Sequence, residues 1–545
     1  MLKKLLPIIL VGLSVFLARL SSEASAAPSR PNIIYVLCDD LGYGDVRYLN
    51  PDGKIATPHL DRLASQGIAF TDAHSGSAVC TPTRYGIITG RYCWRSRLQS
   101  HVLGGLSPRL IEPGRFTVAD MLKQHGYHTA SVGKWHIGMD WARIPGKPIE
   151  ELGIEKQDQV WNVDYSKPIT NGPNAVGFDY YYGISASADM VPYTFIENDH
   201  VTVLPTVEKQ FDLVAGRPSR KLRIGPAAPD FTIEKILPTI TSKAIEYVNG
   251  RAESAKRGEP FFLYLPLNSP HAPVAPSTAW QGKSGLNPYA DFVMETDDSI
   301  GQLMRTLDEQ GLADNTLVIV TSDNGCSPVA NFEELLAKGH NPSYIFRGEK
   351  ADIYDGGHRV PFLVRWPGKV QPGRKSDHLQ CHTDFMATCA EILDVKLPVT
   401  AAEDSISFLG SLVSSDAKPQ REAIVHHSIN GAFAIRKGPW KLEFCPGSAG
   451  WSKPRPLVDD TSKLPLVQLY NMQSDVGEKD NAQGEQSQIV AELTKLMERY
   501  VNEGRSTPGE PQKNTVAVDF WKAGKHDHQP LPPKKRKKQS QARAS

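Results

Sequence analysis

Four short apolar runs in this chain each end in a cluster of chemically active side chains, and that repetition constrains the fold more than any single motif. The runs are Ile33 to Leu37, His128 to Val132, Pro260 to Leu267 and Thr316 to Thr321. Behind them come Asp39-Asp40, then Lys134 with His136, then His271, then Asp323-Asn324. Between the runs lie stretches of helical periodicity: Pro58 to Gln66 stopped by Gly67, Val118 to Gln124 opened by Thr117, and Tyr289 to Leu307 with Val293, Ile300, Met304 and Leu307 on one face. Strands alternating with amphipathic helices predict an α/β fold whose large, mostly parallel sheet is flanked by helices. In such a sheet the carboxyl ends of the strands share one edge, so the four clusters are expected to meet in one crevice. One more strand is expected over Val360 to Arg365.

The chain has 545 residues, enough for one large α/β domain and an appendage. Past Arg421 the pattern changes: Ala423 to His427 and Phe433 to Phe444 read as antiparallel strands turning through Gly438-Pro439, and Gln488 to Val501 is amphipathic. The expected organisation is therefore a main domain over 28–420 and a smaller C-terminal α+β subdomain over 421–525 with an antiparallel sheet. A basic tail over 526–545 follows, with Pro532-Pro533-Lys534-Lys535-Arg536-Lys537-Lys538, and reads as a solvated, disordered segment.

At the other end, Lys3-Lys4, the apolar run Leu5 to Leu17 and Ala24-Ser25-Ala26-Ala27 have the layout of an export signal spanning 1–27. The run is too short to cross a bilayer and Arg19 interrupts its extension, so no stable membrane anchor is expected. Export to the periplasm or the extracellular space follows. The lone Asn-x-Ser sequon, Asn341-Pro342-Ser343, is blocked by its proline, which favours a bacterial source. A net charge of +1 gives no global preference for nucleic acid. The cysteines at 38, 80, 93, 326, 381, 389 and 445 form neither a dense disulfide framework nor a Cys-x-x-Cys metal spacing.

Asp39, Asp40, Asp323 and Asn324 are hard oxygen donors, a set suited to calcium or magnesium and poor for zinc. Each pair taken alone also fits a turn cap. Cys80-Thr81-Pro82-Thr83-Arg84, followed by Gly86-Ile87-Ile88-Thr89-Gly90-Arg91, would alone be a thiol in a proline-bounded turn.

Together these segments resemble the sulfatase family. Cys80 to Arg91 resembles its signature, Gly133-Lys134-Trp135-His136-Ile137-Gly138 its second signature, and Ser269-Pro270-His271 its substrate-side histidine. Lys350, four residues before Tyr354-Asp355-Gly356-Gly357, matches its later lysine motif, with Asp355 where glutamate is more usual. The likeness spans residues 39 to 359 and extends to Leu469-Tyr470-Asn471 and to Glu478 through Asn481. It implies an alkaline-phosphatase-like fold and hydrolysis of sulfate esters. It implies that Cys80 is oxidised by a maturation enzyme to Cα-formylglycine, whose hydrate is the nucleophile. The implied metal ligands are Asp39, Asp40, modified Cys80, Asp323 and Asn324, holding calcium or magnesium. Arg84, Lys134 and Lys350 would face the sulfate, His271 would protonate the leaving alcohol and His136 would accept a proton from the second hydroxyl.

The expected substrate is a sulfated carbohydrate, an aryl sulfate suiting the same core. The aromatic Gly177 to Tyr193 stretch is a candidate wall of a sugar site, and Asp189, His101, His340 and Arg359 are candidate substrate-binding residues. Two competing readings stay open: a phosphatase or phosphonate monoester hydrolase on the same scaffold, and an exported protein that binds anionic sugars without turning them over.

Overall fold

A computed structural model describes residues 30–522. The expected export signal and the basic tail lie outside the described residues. Ten strands form the central sheet: β1 (Asn32–Asp39), β2 (Ile68–Phe70), β3 (His128–Lys134), β4 (Tyr180–Ile184), β5 (Ile196–Glu197), β6 (His200–Val201), β7 (Phe261–Pro270), β8 (Thr316–Ser322), β9 (Phe362–Arg365) and β10 (Arg374–Ser376). Their order is β10-β2-β9-β8-β1-β7-β3-β4-β5-β6. The run from β8 through β1, β7 and β3 to β4 is parallel. The strand expected at Val360 begins two residues later and runs antiparallel to both neighbours, β8 and β2.

Side chains alternate across β1, and the two sets feed two cores. Ile34, Val36 and Cys38 pack with α1 (Pro58–Ser65), α4 (Ile236–Lys256) and α5 (Pro288–Glu309). Ile33, Tyr35 and Leu37 pack with α2 (Cys80–Thr89), α3 (Val118–Gln124) and α6 (Phe385–Ile392). Strands apolar on both faces are what a sheet covered by helices on each side requires. Local chemistry sets the helix starts: Pro288 opens α5 behind Asn287, whose side chain accepts from Ala290 N at 3.0 Å, and Thr117 with Asp120 forms a capping box on α3.

The C-terminal part is a four-stranded antiparallel sheet, β11 (Ile424–His427), β12 (Phe433–Lys437), β13 (Trp440–Glu443) and β14 (Gln468–Asn471), in sequential order. Gly438, at φ +55°, makes the β12–β13 turn, and the apolar face of α7 (Ser487–Asn502) covers the sheet through Leu493, Leu496 and Met497. β11 abuts the segment leading to Cys80: Ala78 N donates to His427 O at 2.9 Å. All seven cysteines are buried and none forms a disulfide. Among the described residues no helix is long and apolar enough to cross a membrane.

Candidate active site

The carboxyl ends of β1, β3, β7 and β8 bring Asp39, Asp40, Lys134, His136, His271, Asp323 and Asn324 to one place. In a regular strand, consecutive side chains point to opposite faces. Asp40 breaks that rule with a left-handed backbone at φ +66°, which turns it to the side Asp39 already faces, and Asp40 N donates to Asp323 Oδ1 at 3.2 Å. Strain of this kind persists only where the surroundings hold it, and it concentrates at functional sites.

Cys80 opens α2, a helix buried at every residue. Thr83 Oγ1 closes that turn on Ser77 O and Val79 O, both at 3.1 Å, and Gly90 at φ +64° ends the helix. Burial raises the Cys80 thiol above its usual pKa, so as a free cysteine it is a poor nucleophile at neutral pH.

Three carboxylates face three fixed cations. Lys134 Nζ donates to Asp39 Oδ2 at 2.5 Å and Lys350 Nζ to Asp40 Oδ1 at 2.6 Å. Arg84 reaches Asp323 Oδ2 through Nε at 3.2 Å and a terminal nitrogen at 2.7 Å, and its other terminal nitrogen donates to Lys134 O at 2.8 Å. Its guanidinium is therefore engaged behind the carboxylates, and its charge acts through them. Burial opposes ionisation of Asp39, but Lys134, His271 and Arg84 override it and hold the carboxyl well below its usual range. Asp323 is pushed up to about 6 by burial and by the neighbouring Asp39 charge. Burial also works against the charge on Lys350, yet Asp40 raises its pKa.

Asp39 Oδ1, Asp40 Oδ2 and Asn324 Oδ1 are buried and have no hydrogen-bond partner. Leaving such atoms unsatisfied costs about 1–3 kcal/mol each, more when charged. Three free oxygens, two of them carboxylate, fit a calcium or magnesium ion. Asn324 Nδ2 donates to Asp40 Oδ1 at 2.7 Å, which fixes its amide with the oxygen turned away from that bond.

The two histidines differ. His136, at φ +55°, bonds the Leu103 carbonyl through Nε2 at 2.8 Å. A carbonyl only accepts, so Nε2 carries the hydrogen and Nδ1, buried and unpartnered, is an open acceptor. Burial and Lys134 push its pKa well below 6.5, leaving the ring neutral. His271 aims Nε2 at Asp40 Oδ2, 3.6 Å away, and Ser187 Oγ lies 3.1 Å from its Nδ1.

A cavity of about 420 Å³ opens onto this cluster, lined at its inner end by Cys80, His136, His271 and Lys350. His101 and Asp189 line it too, and Asp189 Oδ1 is buried without a partner. His340 and Arg359 do not. His340 is buried, with Nε2 2.8 Å from Asp45 Oδ1 and Nδ1 accepting from Lys54 N at 3.2 Å. Arg359 is spent on the Thr71 carbonyl, at 3.0 and 2.7 Å, and on Asp355 and Asp72. Of the Gly177 to Tyr193 stretch, Ser187, Asp189 and Met190 reach the cavity while Tyr181 and Tyr193 are buried in the two cores. Sequence reasoning included Ser187 and Met190 only as part of the Gly177 to Tyr193 stretch and passed over Trp451, which arrives from the β13–β14 connection, where no strand-end pattern marks it.

A second cluster, His74, His358 and His426, is also buried. His358 and His426 stack with centroids 3.7 Å apart and planes 11° off parallel, so their in-plane lone pairs run side by side instead of converging on one ion.

Residues 31–395 match the sulfatase family model. The chain is 37% identical over 511 residues to an N-acetylgalactosamine-6-O-sulfatase of Bacteroides thetaiotaomicron, covering 86% of this chain and 93% of that one. It is 27% identical to the human N-acetylgalactosamine-6-sulfatase, with 91% of each covered. A solved structure from work on the metabolism of multiple glycosaminoglycans by the same Bacteroides superposes with a TM-score of 0.73 at 34% identity, covering 86% of this chain and 99% of that chain. With a mostly parallel sheet, helices on both faces and a small antiparallel sheet at its C-terminal end, this chain belongs to the sulfatase family and is a sulfatase.

Proposed function

We propose that the protein removes sulfate from carbohydrate, with the 6-O-sulfate ester of an N-acetylhexosamine as the substrate class. The observation that carries the chemistry is the set of three unpartnered oxygens, Asp39 Oδ1, Asp40 Oδ2 and Asn324 Oδ1, gathered at the strand ends where Cys80 begins α2. The choice of sugar is supported by the Bacteroides and human relatives, which are named for removing the 6-sulfate of N-acetylgalactosamine. Export, which the N-terminal segment predicts, would bring it to sulfated polymers and their fragments.

Oxidised by a maturation enzyme to Cα-formylglycine and hydrated, residue 80 would supply a hydroxyl nucleophile; Asp39, Asp40 and Asn324 would hold a calcium or magnesium ion, which would supply Lewis-acid activation of that hydroxyl and charge to meet the sulfate. The fixed charges of Asp39, Asp40 and Asp323 against Arg84, Lys134 and Lys350 cancel, three against three. Lys350 stands at the cavity's inner end, where its ammonium stabilises charge gathering on the sulfate oxygens. His271 keeps one hydrogen on Nδ1 towards the Ala272 carbonyl and, doubly protonated, would pass the second from Nε2 to the alcohol oxygen as its bond to sulfur breaks. His136, neutral and open at Nδ1, takes up a proton from the hydrated residue 80 in the return step.

The test is mass spectrometry of the peptide across residue 80, on protein from a maturation-competent host, paired with assays on sulfate and phosphate esters of one phenol and on a 6-sulfated N-acetylhexosamine. The reading stands if the peptide is lighter than its cysteine form by about 18 Da, the thiol replaced by an aldehyde, and only sulfate is released. Preferred turnover of the phosphate ester would make it a phosphatase. A modified residue 80 with no turnover of any ester would make it a binding protein.

A further inference from the structure

The cavity has a wall that belongs to none of the strand ends. Trp451 comes from the connection between β13 and β14, in the C-terminal sheet, yet its half-buried indole lines the same space as Cys80, His271 and Lys350. It is tied to the catalytic end by one carboxylate. Asp352 Oδ1 accepts from Trp451 N at 2.7 Å and from Ser452 N at 3.0 Å, while Oδ2 accepts from Glu349 N at 3.0 Å and from the Ser452 hydroxyl. The same turn carries Lys350, and Ala351 N donates to Ala78 O at 2.9 Å, two residues before Cys80. Gly450 permits the approach: a Cβ there would lie 2.4 Å from Asp352 Oδ1 and 2.6 Å from Ala351 O. A fully buried carboxylate holding four donors from two segments is a rigid clamp.

We infer that Trp451 forms one wall of a subsite for an uncharged sugar ring, held in register with Lys350 and Cys80 by Asp352. This rests on the reading of the cavity as a site for sulfated sugar.

The remaining lining supports that ligand class. Leu152, Ile154 and Met190 give an apolar surface, against which a pyranose lays its C–H face as it does on an indole. Asp189, with one buried oxygen unpartnered, and His101 offer partners for hydroxyl groups. Among the described residues no arginine lines the cavity, and the one lysine that does, Lys350, is engaged by Asp40. A uronic acid or a second sulfate would bring an anion next to Asp189 with no free lysine or arginine among the described lining residues to meet it, which is unfavourable.

The experiment uses the matured enzyme with calcium, a 6-sulfated N-acetylhexosamine as substrate and inorganic sulfate as inhibitor. Trp451→Ala is expected to raise KM for the sugar ester roughly tenfold. It should leave kcat and the sulfate inhibition constant near the wild-type values, and Trp451→Phe should restore most of the loss. Asp352→Asn, which keeps the side-chain shape, should move KM in the same direction. The wild type should favour the neutral sugar ester over one joined to a uronic acid. An unchanged KM in Trp451→Ala, an equal change in sulfate inhibition, or no preference against the uronic acid would overturn the inference. Calorimetric binding of the desulfated N-acetylhexosamine separates the two readings. Binding that Trp451→Ala abolishes, in a protein that hydrolyses no sulfate ester, contradicts the enzymatic reading and leaves the wall intact. Turnover of the sugar ester with no effect at Trp451 contradicts the wall alone.

Discussion

The Lys350 ammonium lies 2.6 Å from Oδ1 of Asp40, while Oδ2 of the same carboxylate has no hydrogen-bond partner. One oxygen is neutralised from within the chain and the other is left for a cation. Lys350→Met is therefore expected to lower kcat/KM about 100-fold or more through lost charge at the sulfate. It should preserve the rise in Tm on adding calcium, which is checked by thermal melts of the variant with and without the ion.

Removal of the divalent ion leaves Asp39, Asp40 and Asn324 with uncompensated oxygens. Chelation is expected to abolish ester hydrolysis and lower Tm, and calcium at 100 times its Kd should restore about 2.7 kcal/mol of stability. Asp40→Ala should show no such rise, measured by differential scanning calorimetry on the same preparations.

Stability should fall as acid is added. Burial depresses His382 from 6.5 to about 4 and His427 to about 3. Below pH 6.5 the unfolded chain takes up protons that these folded rings refuse, so stability is full above 6.5 and is lost as pH falls toward 4. The loss is about 3 kcal/mol for His382. His382→Gln keeps a donor for the Ser322 carbonyl, 2.8 Å from Nε2, and should flatten the slope of Tm against pH in that window.

Arg95 and Asp404, both wholly buried, are joined by two hydrogen bonds of 2.8 and 2.9 Å. Taking away one partner strands the other charge, so Asp404→Ala is expected to cost about 3–5 kcal/mol. Urea unfolding monitored by circular dichroism measures it.

Much of the sheet was legible because its strands are apolar on both faces and end abruptly in polar residues. α1, α3 and α5 announce themselves by capping residues and stopping glycines. α4 is harder to read: its apolar stripe at Ile236, Leu237, Ile240, Ala244 and Val248 is regular, but Pro238 and Gly250 weaken the pattern. The reversal of β9 leaves no trace in its composition, since a buried strand looks alike in either direction. At the site, the strand ends placed Asp39, Asp40, Lys134, His136, His271, Asp323 and Asn324 together. What no local pattern carries is contact made across hundreds of residues. His340 and Arg359 look like ligands in sequence and are consumed by Asp45, Thr71 and Asp72, while Trp451 reaches the cavity through the fold of another sheet.

Cys80 is 3% exposed at the start of a helix buried on every side. Every residue from Cys80 to Thr89 is buried, so the folded protein holds the thiol away from a second protein. On the proposed chemistry the oxidation of residue 80 must therefore precede closure of the sheet over α2. A molecule that folds first is sealed with its thiol and stays inert. The active fraction of any preparation is then set by a race between modification and folding, before the first substrate is met.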